Sequence, residues 1–152
     1  MPTATREPFL PVIRELVRTY QAFETFSNAH IRELGLTPPQ FDVLATLGNT
    51  PGMTCKELSE QTLITKGTLT GVIDRLLDKG LVSRTAREED RRSVFIALTD
   101  TGQALFDQIF PAHLAHMRQA FAGLDNDDFS RICAELAKLR RTIGLAMENY
   151  KP

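Results

Sequence analysis

Phe129, Ile132, Leu136, Leu139, Ile143, Ala146 and Tyr150 follow one another at alternating intervals of three and four residues, a seam held over about three heptads. A helix carrying such a seam requires the flank of another helix. The matching stretch lies at the opposite end of the chain. From Phe9 to Leu34, Phe9, Ile13, Leu16, Tyr20, Phe23 and Leu34 recur at helical spacing, with Val12, Val17, Phe26 and Ile31 beside them and Arg14, Glu15, Arg18, Glu24, Arg32 and Glu33 between. The two ends are therefore expected to pack together, within one chain or between two. Their position on either side of a compact centre favours an intertwined homodimer, although the pattern alone does not separate the two arrangements. At 152 residues, 42% hydrophobic and 24% charged, the chain has the size and composition of one globular unit with a real core. No internal repeat or low-complexity tract interrupts it.

The centre is punctuated by helix starts and stops. Gly35 ends the first helix, and Thr37-Pro38-Pro39-Gln40 supplies an N-cap, a proline in the first turn and a capping-box glutamine for a second helix to about Leu47. Gly48-Asn49-Thr50-Pro51-Gly52 breaks the chain. Thr54-Cys55-Lys56-Glu57 is another capping box, opening a short helix that carries Leu58. After a turn at residues 62–65, Leu69, Val72, Ile73, Leu76 and Leu77 stripe a further helix that stops at Lys79-Gly80. The period then changes. Residues 81–86 and 93–99 are β-prone, and 87–92, Arg-Glu-Glu-Asp-Arg-Arg, separate them as a charged hairpin tip. Thr99 caps the next helix, which carries Leu105, Ile109, Leu114, Met117 and Phe121, and Pro111 is expected to kink or interrupt it. Asp125 or Asp127 caps the last.

Two short helices followed by a hairpin with an arginine-rich tip outline a winged helix-turn-helix, so the expected fold is mainly α with a small β-hairpin and six helices. On the second short helix the apolar stripe faces inward. Gly67, Gly71, Asp74, Arg75 and Asp78 are thereby turned outward, with Thr68 and Thr70 on the flanks. A helix lying in a DNA major groove brings its N-terminal residues to the base edges, where threonine can hydrogen-bond an edge or touch a thymine methyl, and Lys66 adds a charge. Each interior glycine costs about 1 kcal/mol of helix stability relative to alanine. Gly67 and Gly71, one turn apart, thus point either to a close approach of the backbone by a partner or to simple tolerance of glycine on an exposed face.

The net charge of −1 gives no global field toward nucleic acid, and any basic surface has to be local. From Lys66 to Arg92 seven basic residues oppose five acidic ones, a local excess of two, while the rest of the chain carries −3. Arg84, Arg87, Arg91 and Arg92 place positive charge on the hairpin, suited to a narrow, electronegative minor groove. The competing view is a solvated turn whose charges keep it soluble. Asp74 would repel phosphate unless neutralised. Asp74 or Asp90 is expected to pair with Arg91 or Arg92 and orient the wing, leaving the other arginine for DNA.

The blocks 63–76, Leu-Ile-Thr-Lys-Gly-Thr-Leu-Thr-Gly-Val-Ile-Asp-Arg-Leu, then Lys79-Gly80-Leu81-Val82, Asp90-Arg91-Arg92 and Leu98-Thr99-Asp100-Thr101-Gly102, resemble in order and spacing the signature of MarR-type transcription regulators. That resemblance covers nearly the whole chain. It implies a winged protein whose first, fifth and sixth helices form a homodimer, binding double-stranded DNA at a pseudo-palindromic operator. It further implies repression of nearby genes and release by a small aromatic or lipophilic effector. By position, Thr65, Lys66, Thr68 and Thr70 correspond to the family's recognition-helix contacts, Arg75 to its phosphate-side or structural arginine, and Arg92 to the arginine of the wing motif. Many relatives carry Ser and Arg where this chain has Gly67 and Gly71, which shifts recognition toward the wing and DNA shape. The implied effector cleft would include Phe26, His30, Phe41 and Leu44. Residues 1–36 and 100–152 are then the dimerisation region and 37–99 the DNA-binding lobe.

Other chemistries find less support. Two cysteines, Cys55 and Cys133, are too few and too distant for a metal knuckle or a disulfide scaffold, and a reducing cytoplasm is the expected setting. Cys55, in the first turn of a helix beside Lys56, has a setting that can lower a thiol pKa and so keeps open a redox-sensing regulator. Relatives that sense hydroperoxides place their cysteine in the first helix, where this chain has none. His30, His113 and His116 lack a zinc-like spacing, so no metal or other cofactor is expected. No nucleophile elbow, phosphate loop or carboxylate pair suggests an enzyme. The start of the chain lacks the pattern of a signal peptide, and no apolar run reaches the ~18 residues of a membrane span. The rival of another class is a winged-helix module that docks protein and leaves DNA alone.

Overall fold

A computed structural model describes residues 7–62, 64–87 and 90–152, without the side chains of residues 87 and 90–92. The elements run α1 (Leu10–Glu33), α2 (Pro38–Leu47), β1 (Met53–Thr54), α3 (Cys55–Gln61), α4 (Lys66–Asp78), β2 (Val82–Arg87), β3 (Asp90–Leu98), α5 (Asp100–Phe121) and α6 (Asn126–Asn149). The helix starts are those the capping residues dictate. Thr37 accepts from Gln40 N–H while Gln40 Oε1 accepts from Thr37 N–H, and Thr54 and Glu57 make the same reciprocal pair. Each box satisfies two backbone donors that a helix start would leave unpaired.

The sheet is antiparallel in the order β1-β3-β2. Val82 pairs with Leu98 and Ala86 with Val94, and the register shifts between Ala86 and Arg87. β1 was not expected. Met53 pairs with Ile96 and Thr54 with Phe95, so two residues with no strand pattern of their own are drawn into the sheet by β3. Val43, Leu44 and Leu47 of α2, Leu58 of α3, Ile73 and Leu76 of α4 and Ile96 of β3 are fully buried and form the centre of one core. That core fixes α4 through its Leu69, Val72, Ile73 and Leu76 side, leaving the opposite side of the helix to solvent.

The turn from α4 to β2 is locked from the α5 side. Gly80 has φ +71°, which suits glycine at a helix C-terminus. Thr99 N–H donates to Leu81 O at 3.1 Å and Thr99 Oγ1 donates to Gly80 O at 2.6 Å, while the same hydroxyl accepts from Gly102 N–H at 3.0 Å. Pro111 does not interrupt α5, which runs as one helix from Asp100 to Phe121. Pro111 and Asp107 are exposed, so water can satisfy the Asp107 carbonyl that the proline cannot reach.

Two compact units divide the chain, Met1–Met117 and Arg118–Pro152. In the second, Asp125 caps α6 in a reciprocal box with Asp128, and Phe121 meets Phe129 edge-on with ring centres 6.1 Å apart. α6 has 24 residues and buries none of them. Phe129, Ile132, Leu136 and Ile143 of its seam stand exposed, as do Phe9, Val12, Ile13, Leu16, Val17, Tyr20 and Phe23 along α1.

Candidate nucleic-acid interface and effector cavity

The solvent side of α4 gathers the residues expected to meet DNA. Thr65, Lys66, Thr68, Thr70 and Arg75 are all exposed there, together with Gly67 and Gly71. Thr65 is the N-cap by backbone conformation, yet its side chain caps nothing. Its hydroxyl donates instead to Thr68 Oγ1 at 3.2 Å. No acidic residue lies in the first turn, so the positive end of the helix dipole carries no side-chain counter-charge of its own. A Cβ placed on Gly67 or on Gly71 meets no atom within 4 Å. No described residue therefore requires either glycine.

Asp74 is neutralised, by a different arginine from those expected. Its carboxylate accepts from Arg84 Nη2 at 2.6 Å, and both side chains keep substantial exposure. The two residues stand five positions on either side of Lys79, where the chain reverses, so the return strand β2 brings Arg84 alongside α4. Arg84, expected on DNA, thus has a structural partner in the body of the lobe. Asp90, Arg91 and Arg92, expected to orient the wing or contact DNA, and Arg87 have side chains outside the described residues.

The structure has a cavity beside the residues expected at the effector cleft. A cavity of about 320 Å³ is lined by Tyr20, Phe23, Glu24, Ser27, Asn28 and Ile31 of α1, Pro38, Pro39, Phe41 and Asp42 of α2, Ile64, and His113 of α5. Of the four residues expected there, only Phe41 lines it. Leu44 belongs to the fully buried core. Phe26 stacks on His116 with ring centres 4.1 Å apart, and His30 is taken up by His113. Helical spacing shows which residues share a face but not which neighbouring helix that face meets, and Phe26 and His30 lie one strip of α1 away from the residues that line this cavity.

The three histidines, separated by 83 residues or more between α1 and α5, form one stacked cluster. His30 Nδ1 and His113 Nδ1 are 3.0 Å apart, His113 Nε2 lies 3.2 Å from Ser27 Oγ, and His116 Nε2 donates to Phe26 O at 2.8 Å. At 3.0 Å one Nδ1 must carry the hydrogen and the other must accept it, so the pair cannot be doubly protonated without parting. Burial, followed by the neighbouring His30 and His116, pushes the His113 imidazole below its ordinary value. The folded protein consequently binds fewer protons here than the unfolded chain. The stabilisation is complete above the unfolded value of about 6.5 and is lost as pH falls below it. Unfolding free energy measured by urea titration from pH 8 to pH 5 is expected to stay level to about pH 7 and then decline, no more steeply than about 1.4 kcal/mol per unit for this one group. His113→Gln should flatten that decline. An unchanged profile in the variant would remove His113 from the explanation.

Cys55 does not have the lowered thiol pKa that its place beside Lys56 implied. Burial pushes the thiol up, and Arg84 offsets this only in part. Protonated thiol is a poor nucleophile, so this setting does not activate Cys55. Among the described residues no group of three or more histidine, cysteine or acidic side chains is placed to hold a metal ion, and no helix is long and apolar enough to cross a membrane.

The family model for the MarR family matches residues 36–94, the span from α2 into β3. The chain is 31% identical over 132 residues to the HTH-type transcriptional regulator MhqR of Bacillus subtilis, covering 87% of this chain and 90% of that one. The chain belongs to the MarR family. Among solved structures, a mutant MarR from E. coli in complex with operator DNA is similar to this MarR-family chain with a TM-score of 0.77 at 25% identity, covering 90% of this chain and 99% of that one. Bordetella bronchiseptica BpsR, whose DNA binding is regulated by 6-hydroxynicotinic acid, is similar with a TM-score of 0.75 at 29% identity, over 86% and 98% of the two chains. The protein is accordingly a winged helix-turn-helix transcriptional regulator of the MarR type and no enzyme.

Proposed function

We propose that two copies of this chain bind a pseudo-palindromic operator in the cytoplasm and repress the adjoining genes, with release by a small aromatic effector. The observation that carries the reading is the solvent side of α4, where Thr65, Lys66, Thr68 and Thr70 stand exposed beside two glycines that no described residue requires. Each α4 would enter a major groove, with half-sites about one helical turn apart. Arg75 would face the phosphates, Arg84 would hold α4 to the wing through Asp74, and Arg87, Arg91 and Arg92 would supply the wing's charge to the adjoining minor groove. Residues 1–36 and 100–152 would join the subunits and 37–99 would read DNA. The cavity supports effector control because Ile64, which lines it, directly precedes the N-cap of α4. A ligand seated there touches the start of the DNA-reading helix, and any difference in its fit between two subunit spacings biases operator affinity.

The test is selection of bound fragments from the source genome, followed by affinity measurement on the recovered operator between 50 and 200 mM salt. A protein closing six or more phosphate contacts loses on the order of 10³-fold or more across that range. Absence of duplex binding at low salt would leave the protein-docking module as the better reading. Gly67→Ala and Gly71→Ala sharpen the result. Each is expected to raise stability by about 0.5–1 kcal/mol, since alanine is the better helix former and its methyl meets open space. Each should nevertheless weaken operator binding about tenfold, because that methyl enters the helix-to-DNA contact at a cost of about 1.4 kcal/mol. Stabilised variants with unaltered affinity would mean that the glycines are merely tolerated.

A further inference from the structure

The chain has three histidines, and all three stand in the one cluster between α1 and α5. Histidine is the side chain whose ordinary titration falls between pH 5 and 8, so the imidazole chemistry of that range is confined to this contact. Phe26, His116 and His30 stack in series with ring centres 4.1 and 4.6 Å apart, and Phe41 of α2 meets His113 at 4.5 Å. His113 and Ser27 are buried, whereas His30 and His116 are half-buried and within reach of water. Two carboxylates border the cavity beside His113: Glu24 of α1, which accepts from Tyr20 Oη, and Asp42 of α2. Burial, then His30 and His116, hold His113 toward the uncharged form in spite of both.

The 3.0 Å separation of His30 Nδ1 and His113 Nδ1 treats a first and a second added proton differently. The first is accommodated. His30 then carries hydrogen on both nitrogens and donates from Nδ1 to His113 Nδ1, while His113 keeps its one hydrogen on Nε2 and donates it to Ser27 Oγ. A second proton places hydrogen on both facing Nδ1 atoms and a full charge on each ring, so the rings have to separate. That separation is not confined to the cluster. α5 runs unbroken from Asp100, about 20 Å along its axis from His113, and at that end Thr99 and Gly102 hold Gly80 and Leu81 at the end of α4 and the base of β2. Resting on the regulator reading above, we infer that the His30–His113 contact is a proton-operated latch between α1 and α5, closed with at most one proton and opened by the second, and that its opening releases the operator. The operator-fitting state binds fewer protons than the opened state, so acid shifts the balance toward release. Added positive charge by itself acts in the other direction, since it strengthens contacts to phosphate.

Fluorescence anisotropy with the operator fragment recovered by selection reads the affinity of the full chain from pH 7.5 to pH 5.5 at fixed ionic strength. The parent is expected to lose affinity at least tenfold, with its helical content unchanged. In His30→Gln the amide oxygen accepts from His113 in either protonation state, and the loss should shrink below twofold. His113→Gln provides the mirror variant should the first fail to fold. His116→Gln, outside the Nδ1 pair, should still lose affinity on acidification. Affinity that stays level or rises in the parent overturns the inference, as does a loss that survives both pair variants in folded protein, or helix melting that precedes the loss. NMR of the histidine rings in DNA-free protein judges the latch separately. His30 and His113 should take up protons in two steps at least one pH unit apart, as strongly coupled sites do. Uptake at one shared midpoint overturns the latch whatever the operator shows. Separated steps in a protein that binds no duplex at any pH sink the regulator reading, and the release with it, while the latch stands.

Discussion

Replacing Ile132 and Leu136 together by glutamate is expected to convert the proposed dimer to monomers and to lower affinity for a two-half-site operator by on the order of 10²–10⁴-fold. The argument begins with α6 by itself. A helix of 24 residues that buries none of them fully draws little stability from packing in its own subunit, and an isolated helix gains little from propensity alone. Ile132 and Leu136 are still 41% and 50% exposed, in line with Phe129 and Ile143 on the same seam. Each has on the order of 1 kcal/mol of transfer free energy to gain when covered. A second copy of the chain offers the same seam and the similarly uncovered α1, and an isologous pairing would cover all four helices at once. Glutamate is an excellent helix former, so the double variant should keep α6 folded in the separated subunit while placing two carboxylates per chain where the partner would desolvate them. Light scattering after size exclusion reads the mass, and gel-shift titration reads the affinity. The large loss on DNA follows because a dimer holds its second α4 at high effective concentration once the first has bound, an advantage a monomer lacks. A double variant that remained dimeric would show that some other face joins the subunits.

Much of this architecture is legible in the chain because helix boundaries are written locally. Thr37 with Gln40 and Thr54 with Glu57 announce their capping boxes, and Gly80 announces the end of α4. The side of α4 that faces solvent was equally readable, since Leu69, Val72, Ile73 and Leu76 leave only one stripe for the threonines. What escaped depends on how elements meet. β1 has two residues and owes its existence to β3. The pairing of Asp74 with Arg84 is decided by where β2 lands after the turn, which the residue pattern does not state. His30, His113 and His116 have no recognisable spacing because two of them reach the cluster from α5 and one from α1. The lining of the cavity is of the same kind. Tyr20, Phe23, Glu24 and Ser27 mark one strip of α1, whereas Phe26 and His30 mark the next, and only the packing of α1 against its neighbours distinguishes the two.

Gly102→Ala should cost about 3 kcal/mol of stability, the upper end for overfilling a packed site, and lower the melting temperature by about 6–12 °C. A Cβ at this position would stand 1.9 Å from the Leu81 carbonyl oxygen and 2.9 Å from its carbon. Both obstructing atoms are backbone, so no side-chain rotation relieves the clash. Either the first turn of α5 or the α4–β2 turn has to move, and the hydrogen bonds from Thr99 to Gly80 O and Leu81 O join those two segments. Thr99→Val offers a milder measure of the same junction. It removes the hydroxyl that donates to Gly80 O and accepts from Gly102 N–H, at about 1–2 kcal/mol, while leaving room for the close approach. Thermal unfolding of the two variants beside Gly67→Ala, where the added methyl meets open space and the sign is opposite, separates crowding from the general effect of alanine in a helix. Equal melting of Gly102→Ala and the parent would mean that α5 does not start against this turn. The reason for a glycine three residues after Thr99 is then physical: the end of α4 and the base of the wing are held in place by a helix start that admits no side chain. A regulator that must present α4 and β2 in fixed relation to a duplex depends on that contact although neither Gly102 nor Thr99 lies on the solvent side of α4.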